Sequence, residues 1–162
     1  DSLAGVLPTI RSRCISFAVA PVSPEDCARY CTAQGVGAKD AALYSALFDG
    51  HIGTVLAAAR DEARREQVDR ALALAKAAAA RDSYAAAVLL AAYEKDKAGA
   101  SALLADFRAV AAAGLRDSSH SPVEGETARK ALGAADAAMQ QISAQVNPKI
   151  VLSVLAAKFR TF

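Results

Sequence analysis

The stretch SPED at positions 23–26 decides the fold class of this 162-residue chain, because it is a complete helix start. Serine is a preferred N-terminal cap, proline fits the first helical position, and two acids face the positive end of the helix dipole. This helix is predicted to run to about Gln34 and to stop at Gly35. The chain is therefore predicted to be helical from this position onward.

Helical patterns continue from there to the end of the chain, and no strand pattern follows Val22. A second helix is predicted over about 39–48, and a third from near His51 with a bend toward Ala80. Three compact helices thus precede residue 65. Longer helices are predicted after them, over 68–80, 84–93, 98–115, 125–146 and 148–159. Asp82 and Asn147 are expected to cap two of these, and 117–122 is predicted to be a loop.

The residues before position 23 have a different pattern. The string LPTIRSRC at 7–14 is expected to approach in extended form around Pro8, and 15–19 reads as a short strand or extended connector. Pro21 and Pro24 exclude a regular helix across the junction. Residues 1–22 are therefore predicted to be the end of an α/β unit.

Composition narrows the function classes. Apolar residues make up 54% of the chain, but many are alanines, which indicates helices around a thin core. The net charge of +2 is nearly balanced and gives no basic stripe, so composition does not predict DNA binding. No apolar run has the length of a membrane span. Cys14, Cys27 and Cys31 lack disulfide spacing, and reduced, buried thiols at positions 27 and 31 fit a cytosolic protein.

The sequence contains few residues in patterns that are typical of catalytic sites. A Walker-type phosphate loop is absent, and His51 and His120 both lie in turn-like settings. We therefore expect no enzyme activity from this chain by itself and no cofactor or metal bound to it. The mixed charges at 60–66 are expected to form a solvated face. Direct DNA contact is the weakest hypothesis, with Arg64, Arg65 and Arg70 as candidates.

The string LPTIRSRC resembles the segment that closes the nucleotide-binding core of clamp-loader AAA+ subunits. In that family the arginine of the Ser-Arg-Cys motif reaches the triphosphate bound by the neighbouring subunit. The resemblance implies that Arg13, between Ser12 and Cys14, is an arginine finger supplied in trans. It also implies that ATP and Mg²⁺ belong to the neighbouring subunit.

Two further strings carry the same resemblance. DGHIGTVL at 49–56 is similar to the Gly-x-x-Arg-x-Ala-Leu string of AAA+ lids, but Gly53 stands where the lid arginine would be. This departure implies a subunit that has lost nucleotide binding and keeps the finger. NPKIVLSVL at 147–155 looks like the start of the last collar helix. Its apolar stripe is expected to pack inside the bundle or against a neighbouring one.

The resemblance implies a mainly α fold with three parts: a remnant of the AAA+ core at 1–22, a three-helix lid at 23–64 and a helical-bundle collar at 65–162. The chain lacks an initiating Met and opens near a late motif, so we expect a C-terminal piece of a longer, cytoplasmic protein. The implied partners are gamma/tau and delta clamp-loader subunits, with the sliding clamp and primed DNA reached through the assembly, and no membrane. The alternatives are a gamma/tau-type ATPase fragment and an unrelated alanine-rich helical interaction module.

Overall fold

The computed structural model describes residues 7–15, 17 and 20–162, and these residues are mainly helical, without a strand. The predicted mainly α class with a helical bundle is confirmed. The strand or connector predicted over 15–19 falls mostly outside the described residues and stays a prediction. The helices are α1 Pro8–Arg11, α2 Pro24–Ala33, α3 Ala38–Leu47, α4 Ile52–Arg60, α5 Glu62–Ala79, α6 Ser83–Ala91, α7 Lys97–Arg116, α8 Gly125–Ser143 and α9 Pro148–Lys158.

Helix starts follow the local capping signals. The Ser23 hydroxyl accepts a hydrogen bond from the Asp26 N–H at 3.1 Å, which satisfies one of the free donors at the start of α2. The Asp82 carboxylate caps α6 through the Ala85 N–H at 2.9 Å. The three predicted caps are confirmed, since Asn147 accepts from the Lys149 N–H in the same way.

Two local predictions were wrong. Pro8 does not lie in an extended approach, because it occupies the first position of the short helix α1, where its fixed φ angle suits a helix start. The expected bend between α4 and α5 is a complete break at Asp61. That residue is extended, and its carboxylate caps the new helix by accepting from the Ala63 N–H at 3.0 Å.

The helices form two packed groups. Helices α2, α3 and α4 pack together around buried side chains that include Cys27, Cys31 and Leu47. Helices α5 to α9 close a ring in the spatial order α5, α7, α8, α9, α6. Its core contains Phe107 and Phe159, whose ring centroids are 5.8 Å apart. Helix α7 also contacts α3, so it joins the two groups.

Helix α7 is, within the described part of the chain, the one helix whose length and apolar composition would allow it to cross a membrane. Half of that stretch is buried inside the fold, against α3, α5 and α8. This packing against three other helices is that of a core helix.

Arg64 joins three helices. Its guanidinium forms a bidentate ion pair with the Asp106 carboxylate of α7, with Nη2 2.6 Å from Oδ1, and it lies 5.4 Å from the ring centroid of Phe48 at the end of α3. The hydrogen bonds to Asp106 raise the pKa of Arg64. The Asp106 side chain is 8% exposed. The prediction of a solvated face at 60–66 was therefore wrong for Arg64.

Three other arginines bond to carbonyl oxygens at helix C-termini. Arg60 donates to the Gln34 carbonyl after α2 at 3.2 Å, Arg116 donates to the Ala46 carbonyl of α3 at 3.0 Å, and Arg65 donates to a carbonyl near the end of α4. The last carbonyls of a helix lack partners within the helix and carry partial negative charge, so a cation there satisfies both needs. Each helix of the α2–α4 group is thus held at its C-terminal end by an arginine from another element.

We expect Asp106→Ala to lower the free energy of unfolding by about 3 kcal/mol, because it leaves Arg64 without its ion-pair partner in a largely buried place. The matched control is Asp136→Ala, which removes the half-exposed pair between Arg108 and Asp136. That change should cost less than about 1 kcal/mol. Urea unfolding followed by circular dichroism measures both. Equal losses in the two variants would contradict the assigned role of Arg64.

Candidate functional site

Arg13 lies just after the short helix α1. Its N–H donates to the Ile10 carbonyl at 3.0 Å, and the Ser12 hydroxyl donates to the Thr9 carbonyl at 3.0 Å, so the backbone of the motif closes a tight turn. Arg13 and Cys14 are both exposed. Among the described residues, the side chain of Arg13 makes no ion pair. The arrangement presents a guanidinium outward from a turned backbone, which is compatible with contact to a phosphate of another molecule.

The segment leading into α2 is held against the start of α4 by Gly50. This residue has a φ angle of +72°, and a Cβ atom added there would overlap the backbone carbonyl of Val22. Only glycine permits both the left-handed conformation and the close approach. The sequence signals a positive φ angle through the Asp49-Gly50 pair, but it does not reveal the contact of Gly50 with Val22.

Gly53 stands at the position of the lid arginine in the family resemblance. It lies in the first turn of α4, is exposed, and has no atom within 4 Å of a Cβ built on it. An open groove of about 350 Å³ runs past it, lined by residues 20–22 and 50–54. The structure has room for a longer side chain here, so the absence of arginine is not forced by packing. Arg13 is not among the residues that line this groove.

A cavity of about 410 Å³ lies between α2, α3 and α7. Small side chains form its walls, and Glu25, Asp49, Arg116, Asp117 and His120 contribute polar groups. Arg116 is already engaged, 3.5 Å from the Asp49 carboxylate. The Asp117 pKa is lowered, first by the Ser119 backbone N–H and then by its hydroxyl. His120, which lies in the loop predicted over 117–122, is half-buried in a single 3₁₀ turn beside this cavity.

The remaining candidates have structural partners. Cys27 and Cys31 are fully buried, as predicted. Burial raises the pKa of the Cys31 thiol, and the neighbouring Cys27 raises it further. In the described ranges, no group of three His, Cys, Asp or Glu side chains is placed to hold a metal ion. The three arginines considered for DNA contact are all engaged within the fold: Arg64 with Asp106, Arg65 with Ala59, and Arg70 with Glu66 and Tyr93.

The apolar stripe predicted on the last helix divides into two sides. Val151 and Leu155 are buried in the bundle, whereas Ile150 and Val154 are exposed to 59% and 47%. Periodicity alone could not separate the two sides. A neighbouring exposed surface on α6, which carries Tyr84 and Val88, was missed, although the sequence SYAAAVLLA signals it by having no charge.

No family model, curated protein or solved structure matches this chain. The resemblance to clamp-loader subunits therefore depends on the three sequence strings and on the order of the parts that follow them.

We expect Gly50→Ala to destabilise the chain by about 1–3 kcal/mol from the left-handed backbone alone, with a further cost from overlap with Val22. The control is Gly53→Ala, which adds the same methyl group on a helix with open space around it. That change should be neutral or stabilising by up to about 1 kcal/mol. Urea unfolding of both variants provides the comparison, and a harmless Gly50→Ala would disprove the close approach.

The cysteines offer a test of the exposed motif. At neutral pH, one thiol should react rapidly with an aromatic disulfide reagent, because Cys14 is exposed while Cys27 and Cys31 are buried. Cys14→Ser should abolish the fast phase, and the other two thiols should react only after unfolding. Three fast thiols in the native protein would show that the α2 packing is incorrect.

Proposed function

We propose that this chain is the C-terminal part of a subunit like the delta-prime subunit of the bacterial DNA polymerase III clamp loader. In this role it is a non-catalytic subunit that helps to assemble the pentameric loader and completes a neighbour's ATP site. The observation that carries the proposal is the LPTIRSRC string with its exposed Arg13, which precedes a compact three-helix group and a helical bundle along the chain.

Arg13 would act on a nucleotide bound by the adjacent subunit. Phosphoryl transfer requires positive charge near the γ-phosphate oxygens, and an arginine delivered in trans can supply it. An arginine guanidinium is planar and positively charged, so it can contact two phosphate oxygens at once. Ser12 closes the turn that carries Arg13, so it would position the finger. ATP and Mg²⁺ would belong to the neighbour.

Gly53 supports a member of the family without nucleotide of its own. A lid arginine would contact nucleotide held by the same subunit, and this chain has glycine there in an open groove. The alternative within the family is a gamma/tau-type ATPase with an unusual lid. Nucleotide binding by the complete parent protein separates the two, because only the ATPase would bind ATP tightly.

The two helical groups would serve as the lid and the collar. We assign residues 1–22 to the end of the AAA+ core, 23–64 to the lid and 65–162 to the collar, with α5 running across the last boundary. The collar would bind gamma/tau and delta subunits. The assembled loader would then place a sliding clamp on primed DNA in the cytoplasmic replisome. A permanent collar suits this work, because the smaller interfaces at the ATP sites can then open and close.

The alternative outside the family is a free-standing, alanine-rich helical module that binds other proteins. The exposed apolar side chains on α6 and α9 are the observation that favours it. The sequence upstream of this chain decides between the two. An intact or degenerate phosphate loop together with a zinc-binding cysteine cluster would belong to the clamp-loader family.

We expect Arg13→Ala in the reconstituted loader to leave assembly intact and to lower ATP hydrolysis at the neighbouring site at least tenfold, since arginine fingers contribute roughly 10³–10⁵ in rate in other systems. Arg29→Ala is the matched control, because Arg29 is an exposed arginine on α2 paired with Asp26. Single-turnover ATP hydrolysis measures the effect. Equal rates in the wild-type and Arg13→Ala complexes would contradict the proposed finger.

A further inference from the structure

Helix α6 is apolar on every side. Its nine residues contain no charged side chain, and its inner face buries Ala86 and Leu90 in the bundle. The opposite face is exposed to solvent, with Tyr84 exposed to 79% and Val88 to 57%. A helix that is apolar all round is normally buried on all sides. The outer side of α6 therefore lacks the cover that its composition requires.

Helix α9 extends this surface. It packs beside α6, and the Lys149 ammonium lies 3.3 Å from the carboxylate of Glu94. Because Lys149 lies at the start of α9 and Glu94 follows the end of α6, the two helices run antiparallel. Both bury one side against the bundle, and because the helices are neighbours, the exposed side of α9 with Ile150 and Val154 borders the exposed side of α6.

We call this surface the outer face and define it by the four large side chains Tyr84, Val88, Ile150 and Val154. The small exposed residues Ala87, Ala91 and Ala157 lie between them. Together they expose an area on the order of 500 Å², which is the size of the largest apolar patches found on monomers, and such patches are often functional. Helix α6 has no charged side chain, and the charged side chains of α9 are Lys149 and Lys158, which lie at the two ends of that helix.

We propose that the outer face binds the same face of a second copy of this chain. A twofold interface places a surface against itself, so a charged residue near the axis would meet its own copy, and this face has no charged residue at its centre. Two antiparallel helices against two others complete a four-helix bundle, with Val88 and Ile150 inside it. Burying about 500 Å² on each copy gives roughly 1,000 Å², the lower limit for a specific interface. The dimer is therefore weak and forms only at high protein concentration.

The test is the mass of the 162-residue chain by sedimentation equilibrium at protein concentrations from micromolar to millimolar. The wild-type chain should approach twice the monomer mass. Tyr84→Glu and Val88→Glu should each keep the monomer mass at the same concentrations, because two carboxylates would be buried at the interface. Tyr30→Glu, at the exposed tyrosine of α2, is the matched control and should dimerise like the wild type. Circular dichroism confirms that all variants are folded.

A wild-type chain that stays monomeric at all concentrations would overturn the proposal. A dimer that survives both α6 substitutions would also overturn it, since the contact would then lie elsewhere. Self-association does not depend on the proposed clamp-loader function. If Arg13→Ala has no effect on ATP hydrolysis while Val88→Glu abolishes the dimer, the function fails and this inference stands. If Arg13→Ala lowers ATP hydrolysis while Val88→Glu leaves the dimer intact, this inference fails and the proposed function stands.

Discussion

The guanidinium of Arg64 contacts both helical groups, and the packing of one group on the other depends on it. Its bidentate ion pair with Asp106 joins the first turn of α5 to the middle of α7, and the same guanidinium lies against the ring of Phe48 at the end of α3. An isolated buried charge would be costly, so each partner requires the other in place. The pair also holds the first turn of α5, just after Asp61, against α7. Contacts between α4 and α5 and between α3 and α7 hold the α2–α4 group on the bundle as well.

The high alanine content of the helices explains why arginine side chains are important for holding them together. Alanine-rich helices approach closely but bury little area per residue, so apolar burial between the two groups is limited. Between the groups, directional contacts from Arg65 and Arg116 to helix C-terminal carbonyls supply the specificity that large side chains would otherwise give. Arg60 makes the same kind of contact within the α2–α4 group.

The features that could be predicted from the sequence are those decided within a few residues. Caps at Ser23, Asp82 and Asn147 depend on a side chain and a backbone N–H two or three positions away, so local pattern was sufficient. Asp106 could not be assigned as the partner of Arg64, because 42 residues separate them and the charge run around Arg64 resembles a solvated face. At the candidate site, the LPTIRSRC motif singled out Arg13 as the candidate functional residue. The packing of Gly50 on Val22 and the exposed side of α6 depend on tertiary contacts, which no local pattern contains.

The measurement that tests the proposed function most directly is light scattering during size exclusion, with this chain mixed with the collar domains of gamma/tau and delta subunits from the same organism. The account predicts a stable complex that contains this chain and at least one of these collars, because residues 65–162 would form the missing part of the ring. A chain that elutes without any of them would contradict its assignment to the clamp loader.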